Sequence, residues 1–221
     1  MRRRAGGLAG LVVAMSVAGA GLVAAQAPAQ QELPYRAFAP GVARGVDPPS
    51  PTSTPRPVPY NGPVESMYLG SAGISAAWPI ELRDTHVVGG REVFQDPTAP
   101  QYIAWYRRFG QPGFVSNNSL FAAHINYVGF GSGPFARLTS ASPGDALYLR
   151  MENGTELTYT VRTVKVIPLG SLNMEEVVFP NLAPNVERVT LISCGGTFVP
   201  RPGGGGDYDS RVILVAERVL D

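Results

Sequence analysis

The stretch DALYLRMENGTELTYTVRTVKVI, residues 145–167, has the clearest local pattern in this sequence and sets the fold class. Leu147, Leu149 and Met151 alternate with polar or charged side chains, and the same period of two resumes after the turn. Asn153-Gly154, between the two runs, is typical of a two-residue turn that needs positive φ. Residues 145–167 are therefore predicted to form a β-hairpin with one apolar face.

The same alternation recurs on both sides of this hairpin, from residue 64 to the C-terminus. Further strands are predicted at 75–83, 87–94, 119–124, 188–194 and 211–219. Short insertions that are not strands are expected near 134–138 and 172–179. Several short strands at this spacing predict a mostly-β domain, either a closed barrel or a sandwich, over residues 64–221.

The N-terminal part has a different composition. Residues 1–25 run from three arginines into an uncharged stretch of small and apolar residues, which predicts a membrane anchor. A cleaved signal peptide is the alternative, since Ala25-Gln26-Ala27 fits the small-residue cleavage pattern. Residues 26–63 contain ten prolines and predict an extended linker. Both interpretations of residues 1–25 place the domain outside the membrane. The net charge of +1 gives no reason to expect a nucleic-acid partner.

The only cysteine, Cys194, ends the apolar run RVTLISC and precedes Gly195-Gly196. An exported chain with one cysteine cannot form an internal disulfide, so the thiol is a buried apolar group, a site of intermolecular pairing or a nucleophile. Its place at the predicted end of a strand, before two glycines at which backbone turns sharply and substrate approaches closely, favours the nucleophile.

A thiol nucleophile needs help, because only the thiolate attacks. His124 ends the predicted strand SLFAAH, whereas His86 lies beside a charged turn and is expected to face solvent. Arg211 begins the predicted final strand, after the glycine-rich segment 195–210, which we expect to be a loop, either a rim that admits substrate or only a permissive connection. Arginine is always charged and presents a fork of donors, so Arg211 is a candidate to stabilise an oxyanion, although a solvated charge at the end of a strand is the more common explanation.

These residues resemble the sortase family of membrane-anchored cysteine transpeptidases. TLISC (190–194) resembles the family motif TLxTC, with Ser193 in place of threonine, and it follows a histidine and precedes an arginine in the family's order. Further segments resemble the actinobacterial class often labelled F: WYRRFGQPG (105–113), AAHIN with GSGPFARL (122–126 and 131–138), SPGDALYL (142–149), LISCGGTF (191–198) and YDSRVILVAE (208–217). Two departures occur beside the histidine, because Ala123 and Asn126 replace the usual glycine and aspartate.

The resemblance implies a closed eight-stranded β-barrel with short helical insertions. It implies that Cys194 attacks a Leu-Pro-any-Thr-Gly sorting signal between Thr and Gly, that His124 transfers the proton, and that Arg211 stabilises the oxyanion or the substrate. Thr190, Ser193 and Gly195 are the implied substrate-binding residues.

The implied partners are sorting-signal peptides of surface proteins and an amine of peptidoglycan or a pilin, with residues 1–25 holding the protein at the cell membrane and the catalytic domain outside it. No cofactor or metal is expected. The alternative within the family is a degenerate domain that binds such peptides without turnover. The L,D-transpeptidases are disfavoured, because they carry a histidine two residues before the cysteine, where this chain has Ile192, and papain-like peptidases place the cysteine before the histidine.

Overall fold

The computed structural model describes residues 58–202 and 205–220. The chain divides into two units, residues 1–53 and 54–221, and every described residue belongs to the second. The predicted membrane segment 1–25, and the predicted linker up to residue 57, lie outside the described residues. No helix within the described ranges has the length and apolar character needed to cross a membrane.

The described residues form twelve strands and little helix. The strands are β1 Val64–Tyr68, β2 Ile80–Leu82, β3 Thr85–Val88, β4 Arg91–Phe94, β5 Ile103–Tyr106, β6 Asn118–Ala122, β7 Asn126–Tyr127, β8 Gly131–Ser132, β9 Ala146–Met151, β10 Glu156–Pro168, β11 Val186–Pro200 and β12 Gly206–Val219. Between β10 and β11 lie the 3-10 turn Leu169–Ser171 and the α-helix α1, Met174–Val178, whose cap Asn173 accepts from the backbone N–H of Glu175 and Glu176.

Eight of the strands form one sheet, in the order β1-β9-β10-β12-β11-β6-β5-β2. The Cα atoms of its two edge strands, β1 and β2, come within 8 Å of each other, so the sheet curls into a nearly closed barrel. The prediction of a mostly-β eight-stranded barrel with short helical insertions is confirmed. The strands β3 and β4 form a separate hairpin, as do β7 and β8.

The barrel interior is filled by the inward-facing side chains of its strands. Trp105 stacks on Phe121, with ring centroids 6.2 Å apart, and both are buried among leucine and valine side chains of β9, β11 and β12. A second, smaller apolar cluster lies on the outer face, where Val178 of α1 packs against Leu120 and Tyr106. The insertion that carries α1 is therefore fixed to the outside of the barrel beside β6.

The hairpin predicted from residues 145–167 is present, since β9 and β10 pair through Leu149 and Leu157 and Gly154 has φ 85°. The single strand predicted at 87–94 is wrong. Gly89 and Gly90, with φ of 58° and 78°, form a turn that splits this segment into β3 and β4. The prediction at 75–83 is confirmed only for Ile80–Leu82, and His86 is exposed on β3, as expected.

The glycine-rich loop predicted at 195–210 is also wrong. β11 continues past the cysteine to Pro200, and β12 begins at Gly206, so Arg211 lies five residues inside its strand. Gly195-Gly196 form a bulge instead of a turn, because the register between the two strands shifts between Gly195 and Phe198. The hairpin continues because Phe198 pairs with Tyr208 beyond the bulge.

A buried carboxylate ties the other end of the barrel together. Glu187 is completely buried and accepts hydrogen bonds from the Tyr159 hydroxyl and the backbone N–H of Gly113. Its second oxygen accepts from Nε of Arg218 at 3.0 Å, and the same guanidinium lies over the ring of Tyr159. Burial and the adjacent Glu187 carboxylate raise the pKa of Tyr159 well above its ordinary value, which keeps its hydroxyl a donor.

Removing this carboxylate is expected to destabilise the barrel strongly. Glu187→Ala leaves the Arg218 guanidinium without its partner, so the free energy of unfolding should fall by about 3 to 5 kcal/mol. Glu156→Ala is the control, because its pair with Arg150 is exposed and is worth about 1 kcal/mol or less. Urea denaturation followed by tryptophan fluorescence measures both, and equal losses in the two variants would contradict the structural role of Glu187.

Candidate functional site

Strand pairing brings the three predicted catalytic residues to the level in the sheet at which β6 ends. β6 and β11 run parallel and end their pairing at Ala122 and Ile192, so His124 and Cys194 each lie two residues beyond the last pair. β12 runs antiparallel to β11 and places Arg211 directly opposite Cys194. Side chains directly opposite each other on neighbouring strands share a face and lie within about 5.5 Å at Cβ. Residues far apart in sequence thus meet at the carboxyl end of β6.

The guanidinium of Arg211 is held by acceptors from its own strand. Its Nη1 donates to the carbonyl oxygens of Tyr208 at 3.1 Å and Ser210 at 2.9 Å. Its Nη2 lies 3.4 and 3.2 Å from the two carboxylate oxygens of Asp207, which form an ion pair with it. Since Asp207 and Arg211 are four residues apart on a strand, they share a face, and the carboxylate fixes the direction in which the guanidinium points.

The Cys194 thiol is half-buried and its environment is mixed in charge. Burial raises the pKa of the thiol above its ordinary value, while the Arg211 cation opposes that change. The carboxylates of Asp207 and Asp96 lie near enough to raise the thiol pKa further. The thiol is therefore protonated at neutral pH in the resting protein.

Hydrogen bonds fix the backbone on both sides of the histidine. The His124 side chain is half-buried. Ala123 N–H donates to the carbonyl of Ile192 at 3.3 Å, and the His124 carbonyl accepts from Phe135 N–H at 3.1 Å. The His124 ring lies 5.3 Å from the ring of Tyr127. Gly133 packs so closely that a Cβ there would lie 2.3 Å from the His124 carbonyl oxygen, so only glycine fits.

The three residues predicted to bind substrate make contacts within the protein. Thr190 is buried and donates to Oδ1 of Asn118 at 2.7 Å, and Asn118 in turn donates to carbonyls of α1. Ser193 is buried and donates to the carbonyl of Cys194 at 3.1 Å. Gly195 has no room for a side chain, since a Cβ would lie 2.6 Å from Val212. These contacts shape the strand that carries the thiol, and substrate binding by the three residues stays a prediction.

A groove lies on the outer face of the barrel that also carries the thiol. It has a volume of about 230 Å³ and lies between β10, β11 and β12 on one side and residues 171–177 on the other. Ile213 and Val215 form part of its floor and alternate along β12 on the face of Arg211. The groove therefore leads along the strands towards Cys194. Lys165, the only lysine of the chain, lines its β10 side.

Sequence reasoning missed the residues that hold the arginine. Asp207 precedes Arg211 by four residues, which is a strand periodicity, but the glycines before it favoured a loop. Asp96 and Tyr208 carried no signal of their own, because each contributes through a contact that only the folded chain creates. Within the part of the chain that the structure describes, no group of three or more His, Cys, Asp or Glu side chains is placed to hold a metal ion.

The family model for the sortase domain matches residues 81–219, which is more than half of the chain. The sequence matches no curated protein significantly.

Among solved structures, sortase A from Corynebacterium diphtheriae is 21% identical with a TM-score of 0.48, over 72% of this chain and 63% of that chain. SrtA sortase from Actinomyces oris is 19% identical with a TM-score of 0.48, over 73% of this chain and 82% of that one. Sortase C2 of pilus island 1 from Group B Streptococcus is 19% identical with a TM-score of 0.46, over 70% and 72% of the two chains. The chain thus spans less than two thirds of the Corynebacterium sortase it matches.

The match to class F stays a prediction. The family itself is shown by the domain match over residues 81–219, and this chain belongs to the sortase family.

Proposed function

We propose that this protein is a cysteine transpeptidase that cleaves a sorting signal and joins the released acyl group to an amine. The observation that carries the proposal is the strand register that sets Arg211 opposite Cys194. On the other side of β11, its pairing with β6 ends two residues before both Cys194 and His124. A nucleophile, a proton carrier and a cation are three groups that together promote acyl transfer through a thioester.

The proposed reaction begins with a neutral thiol. As the sulfur of Cys194 attacks the threonine carbonyl of a Leu-Pro-any-Thr-Gly peptide, its proton passes to the imidazole of His124. The guanidinium of Arg211 stabilises the oxyanion that forms on the carbonyl oxygen. The C–N bond to glycine then breaks, the imidazole gives its proton to the departing amine, and a thioester between threonine and Cys194 remains.

The second half of the proposed reaction reverses the roles. An amine of peptidoglycan or of a pilin attacks the thioester carbonyl, His124 takes a proton from that amine, and the new amide forms as the sulfur leaves and is reprotonated. The groove along β12 gives the sorting peptide a place to lie in extended form. Its lining includes Thr190, Ile213 and Val215, which lie on the same outer face of β11 and β12 as Cys194 and Arg211.

For the proposed function, the first prediction is ligation. The protein, incubated with a panel of Leu-Pro-X-Thr-Gly peptides and triglycine, should give a product in which the peptide up to threonine is joined to the amine. Mass spectrometry detects this product and the intermediate, which adds the acyl mass to Cys194. Cys194→Ala should abolish both. A correctly folded wild-type protein that forms no product from any peptide would contradict the proposal.

Two variants test the groove in the same assay. Val215→Trp fills the groove floor and should raise KM for the peptide about tenfold, which corresponds to about 1.4 kcal/mol of lost binding. Val166→Trp is the matched control, because Val166 is exposed on β10 and alternates with the groove-lining Lys165 and Ile167. If both variants leave KM unchanged, the peptide does not use this groove.

A binding domain without turnover is the second candidate, and one observation favours it. The resting thiol is protonated and Arg211 is already engaged by Asp207, which is also how an inactive site would look. The ligation assay separates the candidates, because a binder retains the peptide in a binding measurement and yields neither thioester nor product.

The second prediction concerns the pH dependence of the thiol. Iodoacetamide reacts with the thiolate, so the alkylation rate of Cys194 should rise with pH to a midpoint above that of the denatured protein, because burial raises the thiol pKa. Asp207→Asn removes a carboxylate that raises the pKa and should lower the midpoint. Arg211→Gln removes the cation that lowers it and should move the midpoint upward.

Glu217→Gln is the control for these shifts. Glu217 lies on the same strand and pairs with Arg188 and Arg162, away from the thiol, so its loss should leave the midpoint unchanged. A midpoint that moves equally in Asp207→Asn and Glu217→Gln would contradict a local effect of Asp207.

The third prediction concerns location. We propose that residues 1–25 anchor the protein in the cell membrane and that the catalytic domain lies outside it, where surface proteins and wall amines are found. A membrane-impermeant maleimide, applied at alkaline pH, should label the single thiol on intact cells, and Cys194→Ala should remove the label. Labelling that appears only after the cells are permeabilised would contradict this location.

A further inference from the structure

Tyr208 contacts both of the chain segments that flank the thiol. Its hydroxyl oxygen accepts a hydrogen bond from Nδ2 of Asn126 at 2.7 Å, two residues after His124. Its backbone carbonyl accepts from Nη1 of Arg211 at 3.1 Å. One residue therefore joins the loop that follows the histidine to the strand that carries the arginine.

Tyr208 is itself held in place by its neighbours in the sheet. It lies on β12, directly opposite Phe198 of β11, and the two rings meet edge to face at 5.4 Å. Asp207, the preceding residue, is the one that forms the ion pair with Arg211. Residues 207 and 208 thus supply two of the contacts that orient the guanidinium, one through the Asp207 carboxylate and one through the Tyr208 backbone carbonyl.

Beyond the fixed backbone of His124, the chain forms a hairpin that projects into solvent. The hairpin of β7 and β8 is exposed, with Val128 at its tip 95% exposed. Its base is fixed by the Gly133 N–H, which donates to the Ile125 carbonyl at 2.9 Å. Across residues 58–202 and 205–220, the bond from Asn126 to Tyr208 is the one side-chain hydrogen bond that connects residues 126–132 to another element.

We propose that Tyr208 and Asn126 are positioning residues, whose hydrogen bond sets the histidine loop relative to Arg211 and the thiol during acyl transfer. The inference rests on the proposed transpeptidase function. It also explains how the loop is held with Asn126 at the position where aspartate is usual in the sortases that this chain resembles. The asparagine amide donates to the phenol oxygen, whereas an aspartate would accept from the phenol O–H, so either residue closes the same contact.

The test uses the full chain in the ligation assay with three substitutions. Tyr208→Phe keeps the ring and the backbone carbonyl and removes only the hydroxyl, and Asn126→Leu removes the partner. Each should lower kcat about tenfold, equivalent to about 1.4 kcal/mol of transition-state stabilisation, and leave KM for the peptide unchanged. Asn126→Asp should retain most of the wild-type kcat, because the phenol can donate to the carboxylate.

The double variant Tyr208→Phe with Asn126→Leu distinguishes a shared contact from two separate effects. If the hydrogen bond carries both losses, the double variant is no slower than either single one. Tyr148→Phe is the control, since Tyr148 is exposed on β9, which β10 separates from β12 in the sheet, and it should keep full activity.

The outcomes separate this inference from the proposed function. No ligation by wild-type protein refutes the function itself. Active wild-type protein together with full activity in Tyr208→Phe, a loss that falls on KM alone, or a double variant slowed by the product of the two single losses overturns the positioning role. Thermal melting of each variant confirms that the comparison is made between folded proteins.

Discussion

The position of β11 between a parallel and an antiparallel neighbour is the constraint on which the candidate site depends. Parallel pairing runs β6 and β11 in the same direction. The residues that follow β6 therefore lie beside the part of β11 that follows Ile192. Antiparallel pairing with β12 sets Arg211 opposite Cys194 with no further contact needed. The backbone hydrogen bonds that build the barrel therefore fix Cys194 and Arg211 opposite each other, and they place His124 two residues beyond the last pair of β6 with β11.

The charges around the thiol follow from the same arrangement. Two carboxylates, Asp207 and Asp96, and burial all oppose formation of the thiolate, and the Arg211 cation is the only stabilising charge among the causes of the shift. These causes favour the thiol over the thiolate in the protein without substrate. In the proposed reaction, such a resting state would limit unwanted reactions of the half-buried sulfur, and Arg211 would meet a full negative charge on the substrate only when the oxyanion forms.

Some of this could be predicted from the sequence and some could not. The hairpin at 145–167 was predictable, because its alternation and Asn153-Gly154 are local signals that agree. The strand β5 was missed because all four of its residues are buried and show no alternation. The pair Gly89-Gly90 is a local turn signal, and the prediction of one strand at 87–94 did not take it into account.

The site shows the same division between local and long-range information. His124, Cys194 and Arg211 could be named from residue type and order, but their relative positions depend on strand pairing over long sequence distances. Glu187 reads as an ordinary charged residue in a strand, and its burial depends on partners from three other segments of the chain. Such contacts leave no pattern in the sequence near the residue that makes them.

The bulge after the thiol shows why the two glycines follow the cysteine. Gly196 has φ 79°, and a Cβ on it would lie 2.0 Å from Oδ1 of Asp209, so a side chain there would push β12 away. A slip of one residue between β11 and β12 would turn Arg211 to the opposite face from Cys194. Because the bulge absorbs the one extra residue of β11 between Gly195 and Phe198, the pairing from Val186 to Gly195 stays continuous, and the hairpin beyond it is free to bring Asp207 and Tyr208 to the arginine. The glycines thus allow one hairpin to meet two requirements. Its register is unbroken at the thiol, and its twisted extension beyond the bulge supplies the groups that orient Arg211.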